Sequence, residues 1–136
     1  MIVLSVNVEK KLGRVAIAVA FEAAGGVTAL FGASGAGKTT LVNMIAGLLK
    51  PDRGVIALNG AKLFDSADRT NVPPYRRHIG YVFQEGRLFP HLSVQQNIDY
   101  GRWMSGHPRD PKESARVTAM LDIGHLLDRR PRLLSG

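Results

Sequence analysis

The run Gly32-Ala33-Ser34-Gly35-Ala36-Gly37-Lys38-Thr39 restricts the fold of this chain more than any other stretch. It follows the spacing of glycine, four residues, then Gly-Lys-Thr. An apolar strand-like run, Val27 to Phe31, leads into it, and an amphipathic run (Leu41, Val42, Met44, Ile45, Leu48, Leu49) leads out. A strand, a glycine-rich turn and a helix in that order form a phosphate-binding loop, or P-loop. The glycines permit backbone angles that a Cβ resists, so successive N–H groups can curl around phosphate oxygens at the positive end of the following helix. Lys38 is placed to reach the β and γ phosphates of a nucleotide, and the Thr39 hydroxyl to bind Mg²⁺.

At 136 residues and 45% hydrophobic content, the chain matches one globular domain with a real core. No apolar run is long enough to span a bilayer, and the N-terminus lacks the basic, apolar and small-residue order of a signal peptide. With no cysteine there is neither a disulfide framework nor a thiolate metal site. The four histidines, His78, His91, His107 and His125, form no metal-binding spacing. The net charge of +7, with arginines crowded into the second half, is compatible with nucleic acid, polyphosphate ligands or an anionic lipid surface, and does not choose among them.

The alternation of Ile2, Leu4, Val6 and Val8 with polar or smaller residues predicts a half-buried strand, and Val15, Ile17, Val19 and Phe21 predict its antiparallel return after a turn over Glu9 to Arg14. Val27 to Phe31 reads as a central strand covered on both faces. The helix after the loop is expected over Thr39 to Leu49, stopping near Lys50-Pro51 because proline disfavours helical geometry in the residue before it. Asn59-Gly60 joins Val55–Leu58 to Lys62–Phe64 as a hairpin. A polar, loop-like stretch from Asp65 to Pro74 then precedes a buried strand, Ile79 to Phe83, which ends at Gln84. Beyond it the pattern turns helical. Ser93 with Gln96 predicts a capping box opening a helix through Ile98, Tyr100 and Trp103, with Tyr100 and Trp103 as core residues of the helical region. Asp110-Pro111 with Glu113 predicts a second helix start, with Val117, Met120, Leu121 and Ile123 as the apolar face and Gly124 near its end.

A P-loop alone is shared by many nucleotide-binding proteins. Two further features narrow the field: Gly80-Tyr81-Val82-Phe83-Gln84, followed by Leu88-Phe89-Pro90-His91-Leu92 and Asn97, and the terminal Leu134-Ser135-Gly136. At these residues the chain resembles the ATP-binding subunits of ABC transporters over essentially its whole length. Gln84 matches the Q-loop glutamine of that family, and Leu134, Ser135 and Gly136 match the first three residues of its signature motif. Within the family, the stretch from Gly80 to Leu92, continuing to Asn97 and Tyr100-Gly101, looks most like molybdate importer ATPases. Importers of sulfate, ferric iron or polyamines share much of the Phe89-Pro90-His91 segment.

The resemblance implies an α/β fold: a P-loop NTPase core of the ABC-ATPase type with an antiparallel β subdomain and the start of a helical subdomain, truncated. Residues 1–84 would form the core and antiparallel region. Residues 85–136 would form the Q-loop exit and helical subdomain. The implied ligand is ATP with Mg²⁺, cradled by Gly32, Ala33, Ser34, Gly35, Ala36, Gly37, Lys38, Thr39 and Thr40, with Thr39 and Gln84 at the metal. Lys38 and Gln84 are the catalytic candidates. An amide such as Gln84 donates and accepts at once, so it suits contact with a metal-bound or attacking water.

The implied partners are a second copy of the ATP-binding subunit, whose nucleotide the signature residues Leu134, Ser135 and Gly136 would contact, membrane permease subunits and, indirectly, a periplasmic binding protein. Leu88, Phe89 and Leu92 are either core residues or contacts to the membrane subunits. The implied location is the cytoplasmic face of the bacterial inner membrane, and no nucleic acid is expected. An ABC-type ATPase acting on nucleic acid is the alternative from another class, with only the charge in its favour. The family's aspartate, glutamate and histidine for hydrolysis would follow Gly136, so the 136 residues alone are expected to be inactive. The chain also departs from the family at the adenine: no aromatic precedes Phe21, which leaves Leu12 or the stem of Arg14 to lie against the base.

Overall fold

The computed structural model describes residues 3–134, and Ile2, Ser135 and Gly136 lie outside them. The chain forms two compact units, Met1–Val82 and Phe83–Gly136.

The first unit is built on a five-stranded sheet in the order β2-β1-β3-β4-β5, antiparallel at every pairing. The first two strands, β1 (Val3–Leu12) and β2 (Val15–Ala24), pair over their full lengths through a tight turn at Gly13, φ 57°. The turn is tighter than the six residues expected, because the strand pattern continues to Leu12. On the other side of β1 lies β3 (Arg53–Leu58). Gly54 stands against β1 so closely that a Cβ there would come 2.0 Å from the Asn7 carbonyl oxygen. Asn59 and Gly60, both with positive φ (52° and 78°), turn the chain into β4 (Ala61–Asp65), as the Asn-Gly pair predicts. The Asn59 side-chain oxygen also accepts from the Val3 amide at 2.8 Å, fastening the turn to the start of β1.

Where a loop was expected, a short strand, β5 (Thr70–Asn71), closes the sheet, followed by a single 3₁₀ turn at Pro74–Arg76. Asp68 supplies the turn chemistry: its carboxylate accepts from the Thr70 amide and from Lys62.

One helix, α1 (Lys38–Ala46), packs on this sheet. Leu41 and Met44 join Val6, Val8, Ile56, Leu63 and Phe64 in the core. The helix ends earlier than the proline signal predicts. Gly47, in the left-handed region at φ 81°, donates to the Met44 carbonyl while the Leu48 amide donates to Asn43, the paired bonds of a Schellman ending. The glycine, rather than the proline four residues later, terminates it.

Two expected strands do not form. Val27 to Phe31 and Ile79 to Phe83 have no ladder partner among the described residues. Val27 is 99%, Phe31 93% and Val82 97% exposed. An extended apolar segment is a strand only when a neighbour takes its N–H and C=O groups. All described pairing is within the antiparallel sheet, so these runs remain irregular.

The second unit carries α2 (Val94–Met104) and α3 (Pro111–Met120). The Ser93–Gln96 capping box is present in both directions. Asp110 caps α3 through the Glu113 amide, but the Glu113 side chain turns to Arg116 instead of back to the cap. The face of α3 differs from the expected one. Thr118 is buried with its hydroxyl donating to Ser114, whereas Met120 and Leu121 are exposed. Trp103, expected in a core, is 70% exposed, with Tyr100 edge-on to it and Phe89 against Tyr100. Pairing aromatic rings among themselves has replaced burial beneath an aliphatic layer.

Candidate phosphate-binding site

The loop from Gly32 to Gly37 reaches α1 through two residues in the left-handed region, Gly35 at φ 81° and Gly37 at φ 91°. That geometry is strained for any residue with a Cβ. Gly37 also lies on β2, where a Cβ would come 2.6 Å from the Ile17 Cδ1 atom, so the helix start rests directly on the sheet. The helix has no side-chain cap at Gly37 and no acidic residue in its first turn. Its first amides and the positive end of its dipole therefore face the loop uncompensated, which is the arrangement that receives an anion.

Lys38 is folded over this cradle. Its Nζ donates to the carbonyl oxygens of Gly32 (2.7 Å) and Ala33 (2.8 Å), which places the ammonium above the loop and leaves a third N–H for a phosphate oxygen. The same two bonds tie the side chain to the loop, so loop and lysine form one element. Ser34 and Thr39 are exposed on this loop and helix start, and Thr40 is half-buried. Their hydroxyls, with the loop amides, make a donor set that fits the phosphates of a nucleotide, with the Thr39 oxygen suited to Mg²⁺. Leu12 and Arg14 flank the β1–β2 turn and are exposed, as a surface for a flat base requires.

Gln84 is exposed in the second unit, in an irregular segment with Leu88 and Phe89, which are 48% and 37% exposed. Asn97 organises that segment: its side-chain oxygen accepts from the Phe89 amide, while its Nδ2 donates to the carbonyls of Phe89, Leu92 and Ser93. Leu92, Gln96, Tyr100 and Trp103 line a shallow groove of about 460 Å³ beside it. Of the signature residues, Leu134 is described, at the end of a 3₁₀ turn, and Ser135 and Gly136 lie outside the described residues. No group of three or more potential metal-ligating side chains occurs among the described residues.

Arg77 was not singled out by the sequence reading, yet it is the most connected side chain near α1. It is 2% exposed. Its Nη1 donates to the carbonyls of Met44 (2.9 Å) and Ile45 (2.8 Å), its Nε to Val72 (2.8 Å) and its Nη2 to the Asn71 side chain (3.1 Å). Burial pulls its guanidinium below the usual value. The available signal was an arginine after a proline-rich turn, which by itself does not distinguish Arg77 from the exposed Arg76 beside it.

The glycine-rich loop, the uncapped helix start and the lysine over it are in place. The ABC transporter family model matches residues 17–136, and the chain belongs to that family. The chain is 56% identical over 133 residues to the molybdenum import ATP-binding protein ModC of Rhizobium meliloti (strain 1021), a match covering 98% of this chain and 37% of that protein. It is 53% identical to the ModC of Brucella melitensis biotype 1 over the same shares. The chain thus spans little more than a third of these relatives. Among solved structures it is similar to an ATP-binding cassette of an ABC transporter (26% identity, TM-score 0.70, 99% of this chain and 59% of that one). It is also similar to the ATP binding subunit of an ABC transporter (23% identity, TM-score 0.72, 99% and 56%), a likeness of fold alone. The fold is that of the ABC-ATPase cassettes, with the antiparallel sheet and the helical region in place.

Proposed function

We propose that this chain is the nucleotide-holding part of an ABC importer ATPase that couples ATP binding and hydrolysis to uptake of an oxyanion, molybdate. The observation that carries the reading is the uncapped start of α1 beneath Lys38, in a chain 56% identical to a molybdenum import ATP-binding protein. In it, the amides of Gly35 to Thr39 and the Lys38 ammonium hold the β and γ phosphates, with Ser34 and Thr40 as additional hydroxyl donors. Thr39 and Gln84 are the residues that would hold Mg²⁺. Magnesium, when bound, neutralises charge developing on the transferred phosphoryl group.

Gln84 senses the γ phosphate and passes its state to the residues that follow, where Phe89, Leu92 and the groove at Tyr100 suit an apolar element of a membrane subunit. Residues 1–84 serve as the nucleotide core and residues 85–136 as the transmission region. The working assembly is a pair of such subunits, each offering Leu134, Ser135 and Gly136 to the partner's nucleotide, on the cytoplasmic face of the inner membrane below a permease fed by a periplasmic binding protein. The 136 residues, which span 37% of the length of the relative they match, are expected to bind ATP weakly and not to turn it over.

In cells whose only copy of the full-length protein carries Lys38→Ala, molybdate uptake is expected to vanish while sulfate uptake is unchanged. Normal molybdate uptake in that variant would refute the reading, and loss of sulfate uptake alone would reassign the substrate.

A further inference from the structure

The two ends of α1 are treated differently. At its start the donors are left open. At its end the acceptors are closed off by side chains from one short run, residues 77–81. A helix leaves its last carbonyls without intrahelical partners. Here the Schellman ending satisfies Asn43 and Met44, and Arg77 adds its Nη1 to Met44 and to Ile45. The cation sits at the negative end of the helix dipole, where it is most favoured. Its remaining nitrogens bind Val72 and Asn71, so one buried guanidinium joins α1 to the end of β5. Four residues on, the Tyr81 hydroxyl donates to the Asn43 side chain at 2.7 Å. Gly47 is shaped to this arrangement: a Cβ there would fall 2.5 Å from the Arg77 Nε.

We propose that Arg77, assisted by Tyr81, is a positioning residue for the phosphate-binding loop: it fixes the far end of α1 and thereby the direction in which the helix presents its first amides. The inference rests on the phosphate-site reading above and adds a part to it. Nine residues of helix span about 13 Å. A tilt of about 5° at one end moves the other by about 1 Å, a displacement of the size that costs up to about a hundredfold in a positioned site.

The test uses the full-length protein, a fluorescent ATP analogue and amide hydrogen exchange, with the variants Arg77→Met, Arg77→Lys, Tyr81→Phe and, as a control on the site itself, Lys38→Ala. Arg77→Met is expected to raise the Kd for the analogue by about tenfold or more, and to speed exchange through Gly35 to Ala46 while the β1–β2 amides keep their protection. Arg77→Lys keeps the charge but cannot span four acceptors, so its Kd falls between. Tyr81→Phe keeps the shape and raises the Kd about twofold, the size of one modest hydrogen bond.

A wild-type Kd in folded Arg77→Met overturns the proposal, as does weakened binding accompanied by equal loss of protection in β1 and β2. If Arg77→Met does not fold, wild-type binding in both Arg77→Lys and Tyr81→Phe overturns it. Unchanged binding in Lys38→Ala would instead refute the phosphate site, whereas its loss there with normal binding in the Arg77 variants would refute the clamp alone.

Discussion

Val55 to Leu58 and Val27 to Phe31 look alike on paper: short apolar runs, each beside a glycine turn. One is β3, paired on both sides, with Ile56 wholly buried. The other is irregular, with Phe31 93% exposed. Composition does not separate them. What separates them is the supply of ladder partners: β3 has β1 behind it in sequence and β4 a two-residue turn ahead, while a strand feeding a P-loop needs parallel neighbours reached by long crossovers. The β1–β2 and β3–β4 hairpins carry their partners across a tight turn, and β1 then pairs with β3 between residues more than forty positions apart.

The largest effect expected on that contrast comes from truncating matched residues on the two sides. Phe64→Ala, in the core under β3 and β4, should cost about 3–5 kcal/mol, whereas Phe31→Ala in the 136-residue chain should stay within about 0.5 kcal/mol. Urea unfolding of the two variants measures both, and equal costs would show that Val27 to Phe31 is packed after all. Next is Gly54→Ala, which drives a methyl into the Asn7 backbone and should cost about 2–3 kcal/mol by prying β3 from β1. If that variant melts with the wild type, the close approach of the two strands is wrong. In the same assay, Asn59→Ala loses the favoured turn residue and its bond to Val3, for about 1 kcal/mol.

The smallest effect is on pH. Lys62 holds Asp68 down to about 2 by hydrogen bonding, helped by Thr70, and it also lowers Asp65, while Lys10 lowers Asp52. These carboxylates are depressed on folding, so their contribution is whole above the ordinary carboxylate range and is lost as pH falls toward 2. Melting temperature should therefore drop on acidification from about pH 5 to about pH 2, and less so in Lys62→Met, which lacks the ammonium that Asp65 and Asp68 share but leaves their bonds to the Ala67 and Thr70 amides. The same acid sensitivity in Lys62→Met would remove these pairs from the account.

The sequence was legible wherever structure depends on near neighbours. The β1–β2 pair, the Asn59-Gly60 turn, the Ser93–Gln96 box and the Asp110 cap each require only residues a few positions apart, and each is present. The glycine turn and the helix start at Lys38 were legible for the same reason, being contiguous. Val27 to Phe31, Ile79 to Phe83 and Trp103 misled because an apolar pattern states a need for burial and not its source. Arg77 was missed because its partners, Met44 and Ile45, lie more than thirty positions away and present only backbone oxygen, which no side-chain pattern reveals. The stop of α1 at Gly47 was missed by giving proline precedence over a glycine that could take the left-handed turn.

The central claim is that Gly32 to Thr40 with Lys38 hold the phosphates of ATP from this chain's own residues. Titration calorimetry of ATP with Mg²⁺ into the 136-residue chain and its Lys38→Ala variant tests it most directly. Weak, saturable binding in the first and none in the second is the expected result. Binding of equal strength in both would contradict it.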